Sequence, residues 1–309
     1  MSVALITHPA CLEHDTGDWH PECADRLRYV LRALEGEEFL PLIRESAPLA
    51  TEEQLRRVHP ERYVTDLLAI QPAPGERVPL DGDTIMSHGS REAALRSAGG
   101  AIMAVDAVME GWARRAFVAT RPPGHHAETN RPMGFCLFAN AAIAARHAQA
   151  RWGLTKVAVV DFDVHHGNGT QEIFYSDPNL FYGSSHQYPC YPGTGAAAER
   201  GAGNVVNAPI PPGSPGAVFR AAWDDIILPA LAAFAPELII VSAGFDAHKA
   251  DPLAQLRLET SDFGWITRRL VELARVHCGG RLVSLLEGGY DLDALAASAA
   301  LHVRTLMEA

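Results

Sequence analysis

The chain has 309 residues, of which 48% are hydrophobic, so it is long and apolar enough to bury a large core. Its 26 Lys and Arg and 37 Asp and Glu give a net charge of -11, and the sequence contains no basic block. This charge argues against nucleic acid binding and favours a cationic substrate. The five cysteines are scattered and include no Cys-x-x-Cys pair, which argues against a disulfide framework and favours a reducing compartment.

The first residues lack the basic start and the apolar run of a signal peptide. No stretch reaches the ~20 consecutive apolar residues of a membrane span. We therefore expect a cytoplasmic protein whose partners are neither membranes nor nucleic acids. The sequence leaves its oligomeric state open.

Short apolar runs alternate with amphipathic stretches along the whole chain. Strands are predicted at 3–7, 41–43, 116–120, 156–161, 180–184, 205–208, 238–242 and 282–286. Helices are predicted at 24–34, 52–58, 60–70, 90–109, 140–152, 170–174, 217–235, 261–276 and 292–307. Ser90 is expected to cap the fourth helix and Gly111 to end it, and 72–83 is expected to be a surface loop. This alternation predicts a single α/β domain over residues 1–309, with one parallel sheet covered by helices on both faces.

Polar or glycine-rich clusters follow the predicted strands. In a parallel sheet the carboxyl ends of the strands meet at one edge, where open α/β sheets bind ligands, so we expect these clusters to lie together. They are Arg121-Pro122-Pro123-Gly124-His125-His126, Asp161-Phe162-Asp163-Val164-His165-His166, Ser184-Ser185-His186, Gly244-Phe245-Asp246-Ala247-His248 and Glu287-Gly288-Gly289-Tyr290.

Three of these residues have the chemistry of a metal site. Asp163 and His165 are two residues apart after a strand, so in an extended segment both side chains point to the same side. Such a segment alone also suits a hydrogen-bonding cluster, but its expected proximity to Asp246 favours a metal ion. Two aspartates and one imidazole are typical of a catalytic zinc site with a position left open for water, whose pKa zinc lowers to about 7.

Other residues of the same clusters are candidates for proton transfer and charge stabilisation. His125 and His126 are candidates for the base that takes a proton from water and the acid that protonates the leaving group. Tyr290 follows two glycines and can direct its hydroxyl to a carbonyl oxygen as that oxygen gains charge. The set predicts hydrolysis of an amide or an ester.

In their order along the chain, these motifs resemble those of the zinc-dependent histone deacetylase and acetylpolyamine amidohydrolase family, over nearly the whole sequence. The resemblance implies the arginase/deacetylase fold with an eight-stranded parallel sheet, and release of acyl groups from lysine-like amines. It implies zinc on Asp163, His165 and Asp246, with His126 as general base and acid. It further implies that His125 is an electrostatic or acid partner and that Tyr290 polarises the scissile carbonyl. The matching motifs are Arg121-Pro122-Pro123-Gly124-His125-His126, Gly134-Phe135-Cys136, Asp161-x-Asp163-x-His165-His166-Gly167-Asn168-Gly169, Gly193-Thr194-Gly195, Gly244-Phe245-Asp246-Ala247-His248 and Glu287-Gly288-Gly289-Tyr290.

The resemblance also implies roles for residues around the metal. Asp161 is expected to pair with His125, and Asn168 with His126. Many members have Asp in place of Asn168; because Asn is uncharged, His126 is expected to be less basic here, as in the class II branch. A structural potassium ion is implied at backbone oxygens near Asp161, Asp163, His165 and Ser185 and at the hydroxyl of Ser184.

A substrate channel is implied as well. Members hold the alkyl chain of an acyl-lysine between two aromatic rings, which correspond here to Phe135, after Gly134, and Tyr191. Leu253 lies where polyamine-specific relatives place an acidic gatekeeper, so its apolar side chain favours a general acyl-lysine pocket. Asp83 is the candidate rim residue that binds the substrate backbone.

Three alternative functions remain open from the sequence. Hydrolysis of acetylpolyamines or other small amides would use the same site on another substrate. An arginase-like binuclear manganese hydrolase would need more ligands than Asp163, His165 and Asp246 supply. A catalytically silent acyl-lysine binder is disfavoured by His125, His126 and Tyr290, all of which are present.

Overall fold

The computed structural model describes residues 2–308. Apolar runs with β-branched residues form the strands, as predicted, although several boundaries move by a few residues. The strands are β1 (Val3–Thr7), β2 (Ile43–Ser46), β3 (Arg77–Pro79), β4 (Ile85–Ser87), β5 (Arg115–Val118), β6 (Val157–Asp161), β7 (Leu180–Gln187), β8 (Val205–Ile210), β9 (Leu238–Ala243) and β10 (Leu282–Leu286).

Within residues 2–308, eight strands form one sheet in the order β2-β1-β5-β10-β9-β6-β7-β8. All of its neighbouring strands are parallel. The predicted single α/β domain with an eight-stranded parallel sheet is therefore confirmed.

Helices connect the strands and cover both faces of this sheet. Gly111 ends the fourth helix in a left-handed conformation, as predicted. The helices are α1 (Ala24–Ala33), α2 (Glu52–Leu55), α3 (Glu61–Ala69), α4 (Ser90–Glu110), α5 (Asn140–Trp152), α6 (Asn168–Phe174), α7 (Gly216–Ala222), α8 (Leu228–Phe234), α9 (Thr260–His277) and α10 (Leu292–Glu308).

Side chains of successive strand residues point to opposite faces and join two different cores. In β6, Ala158 and Val160 pack in the core beneath α1, α9 and α10, while Val157 and Val159 pack in the core beneath α4 and α5. Every residue of β6 is buried. Burial on both faces explains why this strand is a continuous apolar run.

Four local predictions were wrong. Gly89, rather than Ser90, is the N-cap of α4; the Ser90 hydroxyl instead accepts the Ser87 backbone N–H at 2.7 Å. The segment 72–83 contains β3, which pairs with β4 in an antiparallel hairpin. The strand predicted at 41–43 lies at Ile43–Ser46, and the helix predicted at 52–58 stops at Leu55. These short elements depend on tertiary contacts that residue periodicity does not encode.

The carboxyl ends of β5, β6, β7, β9 and β10 carry the polar clusters singled out in the sequence. Because β5, β10, β9, β6 and β7 are consecutive in the sheet, these clusters lie side by side. Among residues 2–308, no helix is long and apolar enough to cross a membrane.

Candidate metal centre and active site

Three buried side chains converge where β6 and β9 end. The Nδ1 atom of His165 lies 3.2 Å from Asp163 Oδ1 and 3.1 Å from Asp246 Oδ2. One ligand atom from each of these residues lies within 4.8 Å of the other two. The remaining carboxylate oxygens accept backbone N–H groups, Asp163 Oδ2 from Gly288 and Asp246 Oδ1 from Val164, both at 2.8 Å, which fixes the orientation of each carboxylate.

Two glycines make this convergence possible. A Cβ atom on Gly244 would overlap the Asp163 carboxylate, and one on Gly288 would overlap the carboxylate of Asp246. The sequence contained a sign of this role, because Gly244 and Gly288 both follow the end of a strand and both lie close to an acidic residue. With a side chain at either position, the two carboxylates could not approach each other.

The charges of this cluster fit a bound cation. Burial, followed by the neighbouring Asp163, raises the pKa of Asp246 to about 7, because two buried carboxylates disfavour each other's ionisation. A cation between them removes that repulsion. Two aspartates and one imidazole are also an accepted zinc donor set. The residues therefore fit the metal ion predicted from the sequence.

His125 is paired with Asp161. Its Nδ1 lies 3.0 Å from Asp161 Oδ2, which also accepts the Tyr182 hydroxyl at 3.1 Å. Burial lowers the pKa of His125, but Asp163 and Asp161 outweigh burial and raise it to about 10. The two carboxylates therefore favour the protonated form of His125 as long as no cation compensates the charge of Asp163.

His126 has the opposite character. Its Nδ1 lies 2.8 Å from Asn168 Oδ1, and Asn168 Nδ2 donates to Glu128 Oε1 at 2.8 Å, which fixes the orientation of the amide. An amide oxygen only accepts, so His126 carries its proton on Nδ1 and keeps a free lone pair on Nε2. Burial, and then the charges of His125 and His165, hold the pKa of His126 well below its usual value.

The loop that carries both histidines is attached to β10 through Glu287. Glu287 Oε2 accepts the backbone N–H groups of Gly124 and His125 at 2.7 and 3.2 Å, and its Oε1 accepts the Ser242 hydroxyl at 2.9 Å. Glu287 is 1% exposed. The Glu287-Gly288-Gly289-Tyr290 motif singled out this glutamate in the sequence. Its contact with the histidine loop was not predictable, because the two lie more than 160 positions apart in the chain.

Tyr290 is held by two residues to which sequence reasoning gave no catalytic role. Asp251 Oδ2 accepts the Tyr290 backbone N–H at 2.7 Å. The Arg26 guanidinium lies 4.8 Å from the Tyr290 ring centroid and donates to the Gly289 and Glu287 carbonyls at 2.6 and 2.5 Å. Burial raises the pKa of Tyr290 well above its usual value, so the phenol stays protonated and can donate.

Aromatic rings border the cluster on two sides. The Tyr191 ring centroid lies 5.2 Å from that of His126 and 6.3 Å from that of His165. The Phe135 ring lies 5.9 Å from that of Tyr290, edge to face. Gly134 has a positive φ of 55°, and a Cβ there would overlap the His126 ring, so only glycine allows this close approach. The predicted channel residues thus lie around the histidines and Tyr290.

The predicted rim residues lie on loops next to these rings. Asp83 is half-buried, and the backbone N–H of Gly134 interacts with its carboxylate. The Asp83 carbonyl lies 2.9 Å from His20 Nε2, and the His20 ring contacts Phe135 at 4.7 Å between centroids. Leu253 donates its backbone N–H to Asp251 Oδ1 at 3.0 Å, so it shares a loop with the residue that supports Tyr290.

The two serines of the predicted potassium site lie on β7, where Ser184 is the register partner of Asp161. His186 Nε2 lies 2.9 Å from the Gly195 carbonyl and therefore donates, which leaves Nδ1 to accept the Ser184 hydroxyl at 2.9 Å. The lone pairs of Ser184 Oγ are thus available to a cation. The Ser185 hydroxyl accepts Trp223 Nε1–H at 2.9 Å, and the role predicted for Ser185 is that of its backbone oxygen.

The family model described as the histone deacetylase domain matches residues 20–306. This chain belongs to the histone deacetylase family. It is 39% identical to histone deacetylase 14, chloroplastic, of Arabidopsis thaliana, over 96% of this chain and 75% of that protein. It is 45% identical to a histone deacetylase-like amidohydrolase of Pseudomonas aeruginosa, over 80% of this chain and 66% of that protein. The crystal structure of the HDA15 HD domain superposes with a TM-score of 0.92 and 36% identity, covering 100% of this chain and 89% of that one.

Membership of the histone deacetylase family supports hydrolase activity of the deacetylase type for this chain. An acetylated amine is a substrate consistent with the family. Two relatives are named chloroplastic and another comes from Synechocystis. Because these names do not point to one compartment, the cytoplasmic location of this chain stays a prediction.

Proposed function

We propose that this protein is a zinc-dependent amidohydrolase that removes acyl groups, acetyl in the first instance, from the ε-amine of lysine or from a lysine-like amine. The observation that carries the proposal is the buried convergence of Asp163, His165 and Asp246 beside His126, whose pKa is held low. A neutral imidazole next to a metal-binding cluster is the arrangement that water-dependent amide cleavage requires.

Zinc is proposed because it accepts oxygen and nitrogen ligands and, with three protein ligands, leaves a position open. When bound, it would supply a positive charge that lowers the pKa of a water molecule and polarises a carbonyl group. A structural potassium ion is proposed near Asp161, Ser184 and the backbone of Ser185. Its support is the free lone pairs on Ser184 Oγ beside Asp161.

The side chains divide the remaining chemistry. His126 Nε2 takes the proton of the attacking water and returns it to the leaving amine. His125, held by Asp161, is the electrostatic or acid partner of His126. The Tyr290 hydroxyl donates to the carbonyl oxygen as negative charge develops there, because its raised pKa keeps it protonated.

Phe135 and Tyr191 are proposed as the walls that hold the alkyl chain of the substrate, with Gly134 providing room for His126 and with Leu253 and Asp83 at the rim. Their support is the position of the two rings beside Tyr290 and His126. An apolar Leu253 favours an acyl-lysine over a polyamine, whose second ammonium would need an acidic partner there.

The proposal is tested with a panel of acyl-lysine peptides and acetylated polyamines, with the metal content of the same preparation determined. We expect acetyl-lysine peptides to be hydrolysed, with one zinc per chain. Tyr290→Phe is expected to lower kcat by about 10²- to 10³-fold, with KM and zinc content nearly unchanged, because one donor to the developing oxyanion is lost.

Three results would contradict the proposal. Full activity of Tyr290→Phe would remove the phenol from the mechanism. Strong preference for acetylspermidine over every peptide would make the protein a polyamine hydrolase. If the protein bound one zinc ion per chain and bound acetyl-lysine peptides without hydrolysing them, it would be an acyl-lysine binder.

A further inference from the structure

Phe135 has a backbone conformation that aromatic residues rarely adopt. Within residues 2–308, two residues other than glycine have a positive φ, Ala235 at 53° and Phe135 at 68°. Ala235 is the C-cap of α8, and helices commonly end in this left-handed conformation. Phe135 lies outside the helices, so no helix end explains its conformation. Such strain persists only where the surrounding structure enforces it, and it is common at functional sites.

The strain at Phe135 lies in a tight turn. The Cys136 N–H donates to the Met133 carbonyl at 3.0 Å, and the Met133 N–H donates to the Cys136 carbonyl at 3.2 Å. Gly134, with a φ of 55°, and Phe135 are the two central residues, and a positive φ at both is the pattern of a type I′ turn. Glycine in the first central position followed by another residue type favours a type II′ turn, in which the second residue has a negative φ. The two turns differ in the orientation of the central peptide, so a rotation of that peptide would relieve the strain at Phe135.

Thr84 holds the central peptide in the strained orientation. Its hydroxyl accepts the Phe135 N–H at 3.1 Å and donates its own proton to Asp83 Oδ1 at 3.1 Å. Rotation of the peptide would turn this N–H away from the hydroxyl and break the bond. Thr84 is 0% exposed, so the hydroxyl is protected from water that could compete for the N–H.

Thr84 is itself fixed by the loop at the rim of the proposed channel. Its backbone N–H donates to Asp81 Oδ1 at 2.7 Å, and the same oxygen accepts the Asp83 N–H at 3.0 Å. His20 Nε2 lies 2.9 Å from the Asp83 carbonyl, and the His20 ring contacts the Phe135 ring at 4.7 Å between centroids. The hydroxyl therefore has a defined position relative to the turn.

The conformation of the turn determines where the Phe135 ring lies. The ring is 5.9 Å from that of Tyr290 between centroids, edge to face. Tyr191, the other proposed wall residue, lies beside His126. Because the direction of a side chain depends on the backbone that carries it, a change in the sign of φ would turn the Cα–Cβ bond of Phe135 and displace its ring from Tyr290.

We propose that Thr84 is a positioning residue of the channel, whose hydroxyl keeps the Gly134-Phe135 turn in its type I′ form and thereby places the Phe135 ring for binding the alkyl chain of the substrate. A hydroxyl accepts and donates at once, which serine also does and valine does not. This inference rests on the proposed function of the channel.

Thr84→Val removes the hydroxyl and leaves a side chain of similar shape. In the crystal structure of this variant we expect the φ of Phe135 to change from positive to negative. For acetyl-lysine peptides we expect KM to rise about fivefold, with kcat within about twofold of the wild-type value, because the ring no longer lines the alkyl chain. Thr84→Ser should keep the positive φ and a KM close to that of the wild type. Thr84→Ala, which also lacks the hydroxyl, replaces Thr84→Val if the valine variant does not fold.

A double-mutant cycle tests whether Thr84 acts through Phe135. Phe135→Ala removes the ring, so adding Thr84→Val to it should change KM by less than about 1.5-fold. Thr305→Val is the matched control, because Thr305 is 3% exposed and donates its hydroxyl to the Leu301 carbonyl at 2.8 Å near the end of α10. This control should leave KM and kcat unchanged.

Three results would overturn the proposal. A positive φ at Phe135 in Thr84→Val would show that the hydroxyl does not select the turn. A negative φ with an unchanged KM would show that the turn does not place the ring for binding. An equal rise of KM in the presence and in the absence of the Phe135 ring would show that Thr84 acts by another route.

The crystal structures separate this inference from the proposed function. If the wild-type protein hydrolysed no acetyl-lysine peptide, the proposed function would fail, but the φ of Phe135 in Thr84→Val would still show whether the hydroxyl selects the turn. The affinity of an acetyl-lysine peptide for Tyr290→Phe, measured with and without Thr84→Val, would then show whether the turn controls binding. An affinity that Thr84→Val leaves unchanged would overturn the positioning role.

Discussion

At the scale of single residues, the Asn168 amide decides which nitrogen of His126 is free. Its oxygen can only accept, so the His126 proton stays on Nδ1, 2.8 Å away, and Nε2 remains a base. Glu128 holds the amide in this orientation through Asn168 Nδ2. Because the amide is neutral, it adds no charge that would stabilise the imidazolium, and its hydrogen bond only partly opposes the lowering of the His126 pKa by burial.

Asn168→Asp is expected to raise the pKa of His126, because a carboxylate stabilises the imidazolium. His126 must be neutral to accept a proton, so the acidic limb of the kcat/KM profile should move to higher pH, by about one unit or more. Profiles of the wild type and the variant measure the shift, and Glu128→Gln, which keeps the amide at position 168, is the control. A limb that stays in place would contradict the role of His126 as base.

At the scale of elements, Asn204 connects the end of α6 to the start of β7. Its Nδ2 lies 2.8, 3.0 and 2.6 Å from the carbonyl oxygens of Phe174, Asp177 and Leu180. Its Oδ1 accepts the Ala202 backbone N–H at 2.9 Å. The Phe174 and Asp177 carbonyls also accept the backbone N–H groups of Asp177 and Leu180 at 3.0 Å, so the buried amide adds to the hydrogen bonds that already close this turn.

Asn204→Ala is expected to lower the free energy of unfolding by about 2 kcal/mol, since the amide's hydrogen bonds to the Leu180 carbonyl and the Ala202 N–H are lost together. Denaturant unfolding measures the loss, with Asn179→Ala, at an exposed position of the same turn, as the control. If both variants were equally stable, Asn204 would not be the residue that holds the turn.

A second element-scale feature is the histidine of α10, His302, which is fully buried against α9 and β10. Its Nδ1 lies 2.6 Å from Thr267 Oγ1 and its Nε2 lies 2.8 Å from Ser284 Oγ. Burial lowers the pKa of His302 from 6.5 to about 3. The stability contributed by the neutral form is complete above pH 6.5 and is lost as pH falls towards 3.

His302→Gln should therefore reduce the steepness of acid destabilisation. Between pH 6.5 and 3 the unfolded wild type binds one more proton at His302 than the folded protein, which contributes about 1.4 kcal/mol per pH unit to the slope. Unfolding free energies measured across this range give the slope for both proteins. Equal slopes would show that His302 is protonated in the folded state.

At the scale of the whole molecule, the parallel sheet collects the ends of five strands at one edge, and most of the site was predictable for that reason. Periodicity located the strands, and the polar clusters after them became neighbours once the strands were parallel. The resemblance of the motifs then paired Asp161 with His125 and Asn168 with His126, and the structure brings both pairs within hydrogen-bonding distance.

Contacts between distant parts of the chain were not predictable from local pattern. Arg26 reaches the Gly289 carbonyl across 263 positions, and Asp251 reaches the Tyr290 N–H across 39. By residue type and by position relative to neighbouring residues in the sequence, Arg26 and Asp251 resemble ordinary charged residues of a protein surface.

We propose that amide hydrolysis by this protein requires one divalent ion held by Asp163, His165 and Asp246. The direct measurement is deacetylation by metal-free protein titrated with zinc, with bound zinc determined at each point. We expect no activity without metal, recovery that is complete at one zinc per chain, and neither zinc binding nor recovery in Asp246→Ala. Undiminished cleavage of acetyl-lysine by rigorously metal-free protein, or a requirement for two ions per chain, would contradict the account.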